Sequence, residues 1–159
     1  PGSDYRWLGK PADPKFLHLP TLGIDAWIQK VGVDQNREIA VPNNIHVAGW
    51  FVDSVTPGET GLSIIDGHLN GSRNGGVFRR LNELGPGARF TVELGDGSSK
   101  NFQVRTVQVV DISVAADVLF SQTPGIKSQL NLITCGGEYD KSARHYTQRV
   151  IVTAEFTNQ

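Results

Sequence analysis

Arg149-Val150-Ile151-Val152-Thr153-Ala154-Glu155-Phe156 alternates: Val150, Val152, Ala154 and Phe156 make one apolar face, and Arg149, Thr153 and Glu155 lie on the other with Ile151 among them. A period of two marks a strand with one face in a core. Working back toward the N-terminus, short runs of the same kind recur, each bounded by Gly, Pro, Asn or Asp. They predict strands over 16–22, 26–33, 46–50, 61–67, 89–94, 100–110, 129–134 and 148–156. Gly95-Asp96-Gly97-Ser98 reads as a hairpin turn between two of them. Helical signals are few. Residues 77–84 carry apolar groups at i, i+1, i+4 and i+7 before Gly85-Pro86-Gly87 stops the pattern, and 115–120 suit a second short helix. The expected fold is all-β: an eight-stranded closed barrel with one or two short helices, since closure removes exposed sheet edges.

A chain of 159 residues fits one domain that folds without disulfides or metals. Residues 1–15, with Pro1, Pro11 and Pro14, read as an N-terminal arm, and 1–3 as a tag or cleavage remnant. Residues 16–159 form the expected barrel domain. The net charge of −1, with basic residues scattered, argues against nucleic acid as a partner. The lone cysteine excludes an internal disulfide and a multi-cysteine metal site, and no metal or cofactor is expected. The absence of methionine is expected of a piece of a longer translation product. No apolar stretch nears the roughly 18 residues of a membrane span.

Three histidines read as surface or structural groups: His18 within a strand, His46 opening one, and His145 in the polar run Asp140-Lys141-Ser142-Ala143-Arg144-His145. His68 differs. The apolar run Leu62-Ser63-Ile64-Ile65 leads through Asp66-Gly67 into it, and a Gly- and Asn-rich segment, 69–76, follows. An imidazole anchored by a core strand and opening on a loop suits proton transfer, although strand-end histidines also serve simply to bond backbone. Cys135 is placed alike, after Leu130-Asn131-Leu132-Ile133-Thr134 and before Gly136-Gly137, which leaves the sulfur uncrowded at the end of a strand. The alternative is a buried thiol plugging the barrel end. Arg149 opens the last strand. Its guanidinium stays protonated and presents a fork of donors, suited to an acyl oxygen gaining charge. Arg144 competes for that role.

In this order the motifs resemble those of sortases. Leu132-Ile133-Thr134-Cys135 resembles the family's threonine–cysteine signature, and Gly67-His68 its histidine motif. Phe78-Arg79-Arg80-Leu81 and Gly87-Ala88-Arg89-Phe90-Thr91-Val92 resemble the segment that follows, and Arg149-Val150-Ile151-Val152 the arginine-led final strand. The gaps, 67 positions from His68 to Cys135 and 14 on to Arg149, also suit the family. Gly136-Gly137-Glu138-Tyr139-Asp140, Trp50 and 56–61 look closer to class F or related single-domain enzymes.

The resemblance implies a sortase-like barrel carrying a cysteine transpeptidase. Cys135 attacks the carbonyl between Thr and Gly of an LPXTG-like sorting signal, His68 moves the protons, and Arg149 bonds the oxyanion. A thioacyl-enzyme then passes its acyl group to an amine on a peptidoglycan precursor or a pilin. The resemblance further implies that the connection 111–128 walls the substrate groove. Val114, Ala115, Leu119 and Phe120 supply its apolar lining, unless they pack under the loop instead, and Thr134 adjoins the substrate. The implied enzyme is a monomer on the outer face of the cell membrane, held by an N-terminal anchor outside this chain. No acidic cluster for a regulatory calcium and no autoinhibitory plug is recognised, since Asp13-Pro14 is followed by Lys15. A cysteine hydrolase on the same barrel and a non-catalytic β-barrel binding module are the competing readings.

Overall fold

The computed structural model describes residues 5–69, 75–140 and 145–158, with side chains over 5–69, 75–134 and 147–158. Eight strands form a closed barrel: β1 (Pro14–Leu19), β2 (Ile24–Val31), β3 (Ala48–Phe51), β4 (Gly61–Asp66), β5 (Arg89–Leu94), β6 (Ser99–Asp111), β7 (Ser128–Asp140) and β8 (His145–Phe156). The order around the barrel is β1-β2-β3-β4-β7-β8-β6-β5, and β5 pairs back onto β1. Two junctions are parallel, β2 with β3 and β4 with β7; the rest are antiparallel. The one α-helix, α1 (Ile112–Leu119), lies in the connection from β6 to β7. Among the described residues, no helix is long and apolar enough to cross a membrane.

The eight-stranded closed barrel agrees with the expectation, and four local readings are corrected. The first strand starts at Pro14 and stops at Leu19, because Pro20–Leu22 turns as a 3-10 helix onto Gly23, which has the positive φ of 66° that glycine adopts freely. The helix expected over 77–84 is a turn followed by the 3-10 helix Leu81–Glu83. The amides of Gly76, Val77 and Phe78 are bonded to the carbonyls of Leu69, Ile45 and His68, and the turns that follow close by the tighter 3-10 pattern, Arg79 to Gly76 and Leu81 to Phe78, rather than by α-helical bonds. The second helix begins three residues earlier than expected, where Asp111 caps it by accepting from the Ser113 amide. Finally, Cys135 does not end its strand. β7 and β8 run on as a hairpin that pairs Tyr139 with Tyr146 and Asp140 with His145, with a bulge between Gly136 and Tyr139 absorbing the irregularity.

Alternation along β8 and β7 sends two sets of side chains to opposite faces. Leu130, Leu132, Val150, Val152 and Ala154 enter the barrel, where Phe78, Leu81, Phe90 and Phe102 fill the interior. Phe90 and Phe102 stack with centroids 5.5 Å apart. Each such side chain contributes about 1.5–3 kcal/mol on burial. Outside the barrel, Phe51, Ile64 and Ile151 form a second apolar cluster, capped by Leu119 of α1. The end of that helix is fastened by amides rather than by more hydrocarbon. Asn131 Nδ2 donates to the Leu119 carbonyl at 2.8 Å, Gln129 Nε2 to the Ser121 carbonyl at 3.2 Å, and Gln129 Oε1 accepts from the Thr123 amide at 2.8 Å. Both amides are fully buried and point from β7 at carbonyls that a helix end leaves unpaired. Asn131→Ala strands the Leu119 carbonyl in a dry site. It is expected to cost about 1–3 kcal/mol in chemical denaturation, more than an exposed Asn→Ala change.

Candidate active site

The parallel pairing of β4 with β7 keeps one offset throughout, from Gly61 opposite Ser128 to Asp66 opposite Ile133. The Gly67 amide bonds the Ile133 carbonyl at 3.2 Å, and Thr134 Oγ1 donates to the Gly67 carbonyl at 2.6 Å, so the match holds just past the end of β4. The same offset sets His68 beside Cys135. On the far side of β7, Cys135 is the direct partner of Arg149 in β8. Three residues remote in the chain therefore follow one another across three adjacent strands at one rim. Side chains alternate, so Arg149 shares the face of Ile151, the outer one that α1 partly covers.

His68 is half-buried, and its Nε2 is bonded to the Pro42 carbonyl. A carbonyl only accepts, so Nε2 carries the proton and the lone pair of the neutral ring lies on Nδ1. Thr134, 4% exposed, spends its hydroxyl on Gly67 and braces the residue before His68. Arg149 is half-buried and donates from one terminal nitrogen to the Gln148 carbonyl at 3.2 Å. The Cys135 thiol, Arg144 and most of the segment after Leu69 lie outside the described residues. His18, read as structural, donates from Nδ1 to Asp25 Oδ1 on the neighbouring strand at 2.8 Å, and so is partnered far from this rim.

The four residues of the expected groove wall divide in two. Ala115 and Leu119 are buried against the barrel, whereas Val114 and Phe120 are 44% and 53% exposed. The Phe120 ring meets Phe51 edge-on at 6.4 Å. A cleft of about 670 Å³ lies elsewhere, between His18, Asp25, Arg89, Asn101 and Asn158 at the end of the barrel where β8 leaves. No member of the His68–Cys135–Arg149 row lines it. Among the described residues no group of three His, Cys, Asp or Glu side chains is gathered as metal ligands would be.

Sequence reading passed over Asp66. It stands in β4 two positions before His68, 5% exposed, and its Oδ1 has no hydrogen-bond partner. It faces Gly49 across the β3–β4 pair, so closely that a Cβ on Gly49 would sit 2.5 Å from Oδ1 and 3.0 Å from Pro42 Cδ. Burial pushes its carboxyl up to about 8, offset only by a bond from its own amide. A carboxylic residue within an apolar strand run, Ile64-Ile65-Asp66-Gly67, was the available signal.

The Sortase domain family model matches residues 17–157. No curated protein matches the sequence. Among solved structures, the fold is similar to a lid mutant of sortase A from Corynebacterium diphtheriae, with a TM-score of 0.71 and 19% identity, covering 96% of this chain and 73% of that one. It is also similar to sortase C1 from Streptococcus agalactiae, with a TM-score of 0.70, 19% identity and coverages of 96% and 71%. Sortase C-1 from Actinomyces oris gives 0.68 and 24%, with coverages of 92% and 76%.

The raised Asp66 carboxyl makes stability depend on pH. The folded chain keeps the proton up to about 8, and the unfolded chain releases it near the ordinary 3.8. This contribution is therefore whole in acid and falls as pH rises between those values, by about 1.4 kcal/mol per unit. Asp66→Asn removes that slope. Thermal melts of both proteins from pH 5 to 8 are expected to show the variant gaining on the wild type at each step.

Proposed function

Because the chain belongs to the sortase family, we propose that it is a cysteine transpeptidase that cleaves an LPXTG-like sorting signal between Thr and Gly and passes the acyl group to an amine. The observation that carries this reading is the row His68–Cys135–Arg149 across β4, β7 and β8. A thiolate, a proton carrier and a fixed cation at one rim are the parts that acyl transfer through a thioester requires.

In the first step the Cys135 thiolate attacks the Thr carbonyl carbon, and the oxygen takes the charge beside the Arg149 guanidinium. The C–N bond breaks as the His68 imidazolium gives its proton to the departing glycine nitrogen. A thioester and a free amine result. In the second step an incoming amine attacks the thioester, His68 takes a proton from it, and the C–S bond breaks to restore the thiolate. Atoms and charge balance over the cycle, and neither step needs a metal or cofactor.

The parallel β4–β7 pair supports this assignment because β4 ends at the rim past which β7 continues, and Thr134 ties β7 to the backbone just beyond that end. The half-exposed Val114 and Phe120, beside the buried Ala115 and Leu119, offer an apolar wall to the leucine and proline of the signal. Thr134 acts from beneath, by holding the backbone at Gly67. A free thiol titrates near 8.5 and an imidazole near 6.5, so an uncoupled pair is in the reactive ionic form only about 1% of the time near pH 7.5. A bell-shaped rate profile follows, whose limbs belong to the pair.

Sortases are surface-associated enzymes of Gram-positive bacteria. We place this one on the outer face of the membrane, held by an anchor not included in the chain, and working as a monomer on a peptidoglycan precursor or a pilin.

Cys135→Ala is expected to abolish turnover of a fluorogenic LPXTG peptide. His68→Ala and Arg149→Ala should each lower kcat/KM by two or more orders of magnitude with unchanged thermal melting. Near-normal turnover in Arg149→Ala would remove that residue from the mechanism. Mass spectrometry with and without a glycine-based amine separates transfer from hydrolysis. A hydrolysed peptide in both samples would make the chain a cysteine hydrolase.

A further inference from the structure

We propose that Asp66 is a positioning residue for His68: its neutral carboxyl keeps the Pro42 segment seated on the β3–β4 edge, and that segment in turn holds the imidazole. The proposal rests on the catalytic reading of His68, but its physical core does not.

The parts meet at one point. Pro42 borders both residues, since its carbonyl is bonded to His68 Nε2 and its Cδ lies 3.0 Å from the point over Gly49 that is 2.5 Å from Asp66 Oδ1. Val31 of β2 closes the same hollow, 3.0 Å from the point a Gly49 Cβ would take. Glycine at 49 is thus a requirement of the carboxyl. Any larger residue would collide with Oδ1, which sits where a side chain would otherwise pack. Gly67, between Asp66 and His68, is pinned at its amide by Ile133 and at its carbonyl by Thr134. Backbone movement of Asp66 along its own strand is therefore resisted. The easier way to reach water is to lift the Pro42 segment, and with it the acceptor of His68.

No described neighbour neutralises a charge there. Gly49 from β3, Val31 from β2, Pro42 from the covering segment and Ile133 from β7 are all uncharged. Pro42 also lacks the amide hydrogen that another residue would have offered. The titratable groups nearest by position are His68, two residues along the strand, and Cys135, which β7 brings alongside His68. A buried carboxyl whose one donor is its own amide remains protonated through neutral pH, in line with its elevation to about 8. On ionising, it gains by opening the hollow. The His68 site loosens as a result, and the reaction slows above that pH for a reason separate from the titration of the Cys–His pair.

Asp66→Asn keeps the shape of the side chain and cannot ionise. With the LPXTG peptide, wild type and variant are expected to agree in kcat/KM within about twofold near pH 6.5. By about pH 9 the wild type should fall roughly tenfold behind, the ratio set by one unit of ionisation, and in kcat more than in KM. Parallel profiles, or a variant that is uniformly slower at every pH, would overturn the proposal and leave Asp66 a packing residue. A second measurement needs no turnover and no Asp66 variant. In the Cys135→Ala protein, which removes the thiol titration, the His68 ring resonances are followed by NMR from pH 5 to 10 together with the Asp66 carboxyl carbon. A second inflection of the ring at the midpoint of the Asp66 carboxyl supports the coupling. A ring that titrates once, indifferent to the carboxyl, sinks it. Should the wild type fail to cleave any sorting peptide, the transpeptidase reading falls, while the NMR result still decides whether the two side chains are linked.

Discussion

The β4–β7 junction is the constraint on which the rest of the molecule depends. Parallel strands cannot be joined by a tight turn, so the chain must travel the length of the barrel to bring β7 beside β4. It uses that excursion to build β5, β6 and α1. The reward is geometric. Two parallel neighbours run toward the same rim, so the residue just past the end of β4 lies beside β7 without any loop having to reach across. One constant offset places His68 by Cys135, and the Thr134 hydroxyl on the Gly67 carbonyl keeps the match where the strand hydrogen bonds run out. Because β8 runs the other way, its contribution to that rim has to come early in the strand. This is why the arginine precedes its apolar run while the histidine and the cysteine follow theirs.

β7 carries two jobs on one face. Toward its start, Gln129 and Asn131 take hold of the end of α1, and further along the same side comes Cys135. The helix that flanks the site and the residue that would react are thus indexed to one strand. Hydrocarbon in place of the two amides would bury more apolar surface but leave the carbonyls of Leu119 and Ser121 unpaired. Directional bonds also fix where the helix ends, which apolar contact alone does not.

The architecture was legible because it is written in period two. In β8 every second residue is apolar, and Val150, Val152 and Ala154 enter the barrel, while Ile151 is buried on the outer face against α1. What misled was local. Residues 77–84 have a helical spacing of apolar groups, yet Phe78 and Leu81 are spaced to plug the barrel while the Val77 and Phe78 amides serve Ile45 and His68. Gly136-Gly137 reads as a stop, but glycines are also what a bulge tolerates, and the ladder resumes at Tyr139. At the candidate site, the order and spacing of His68, Cys135 and Arg149 were visible in the chain. Asp66 was visible too, as a letter, but a carboxyl's meaning depends on whether anything donates to it. That is decided by Gly49 and Pro42, which come earlier in the chain and reach it only through the β3–β4 pairing and the covering segment.

An uncharged Asp66 also suits the electrostatics of the chemistry assigned to this rim. A thiolate is disfavoured by a neighbouring negative charge, and in a poorly solvated wall that penalty is larger than in water. A carboxylate paired with an arginine or lysine would remain ionised, and its dipole would have to be oriented away from the sulfur. A buried carboxyl bonded by no more than its own amide stays neutral by itself. The lack of a partner at Oδ1, a defect by the standards of a stable interior, is then consistent with a site whose one required anion is the sulfur. Stability and reactivity pull against each other here, and the strand that bears His68 carries the cost.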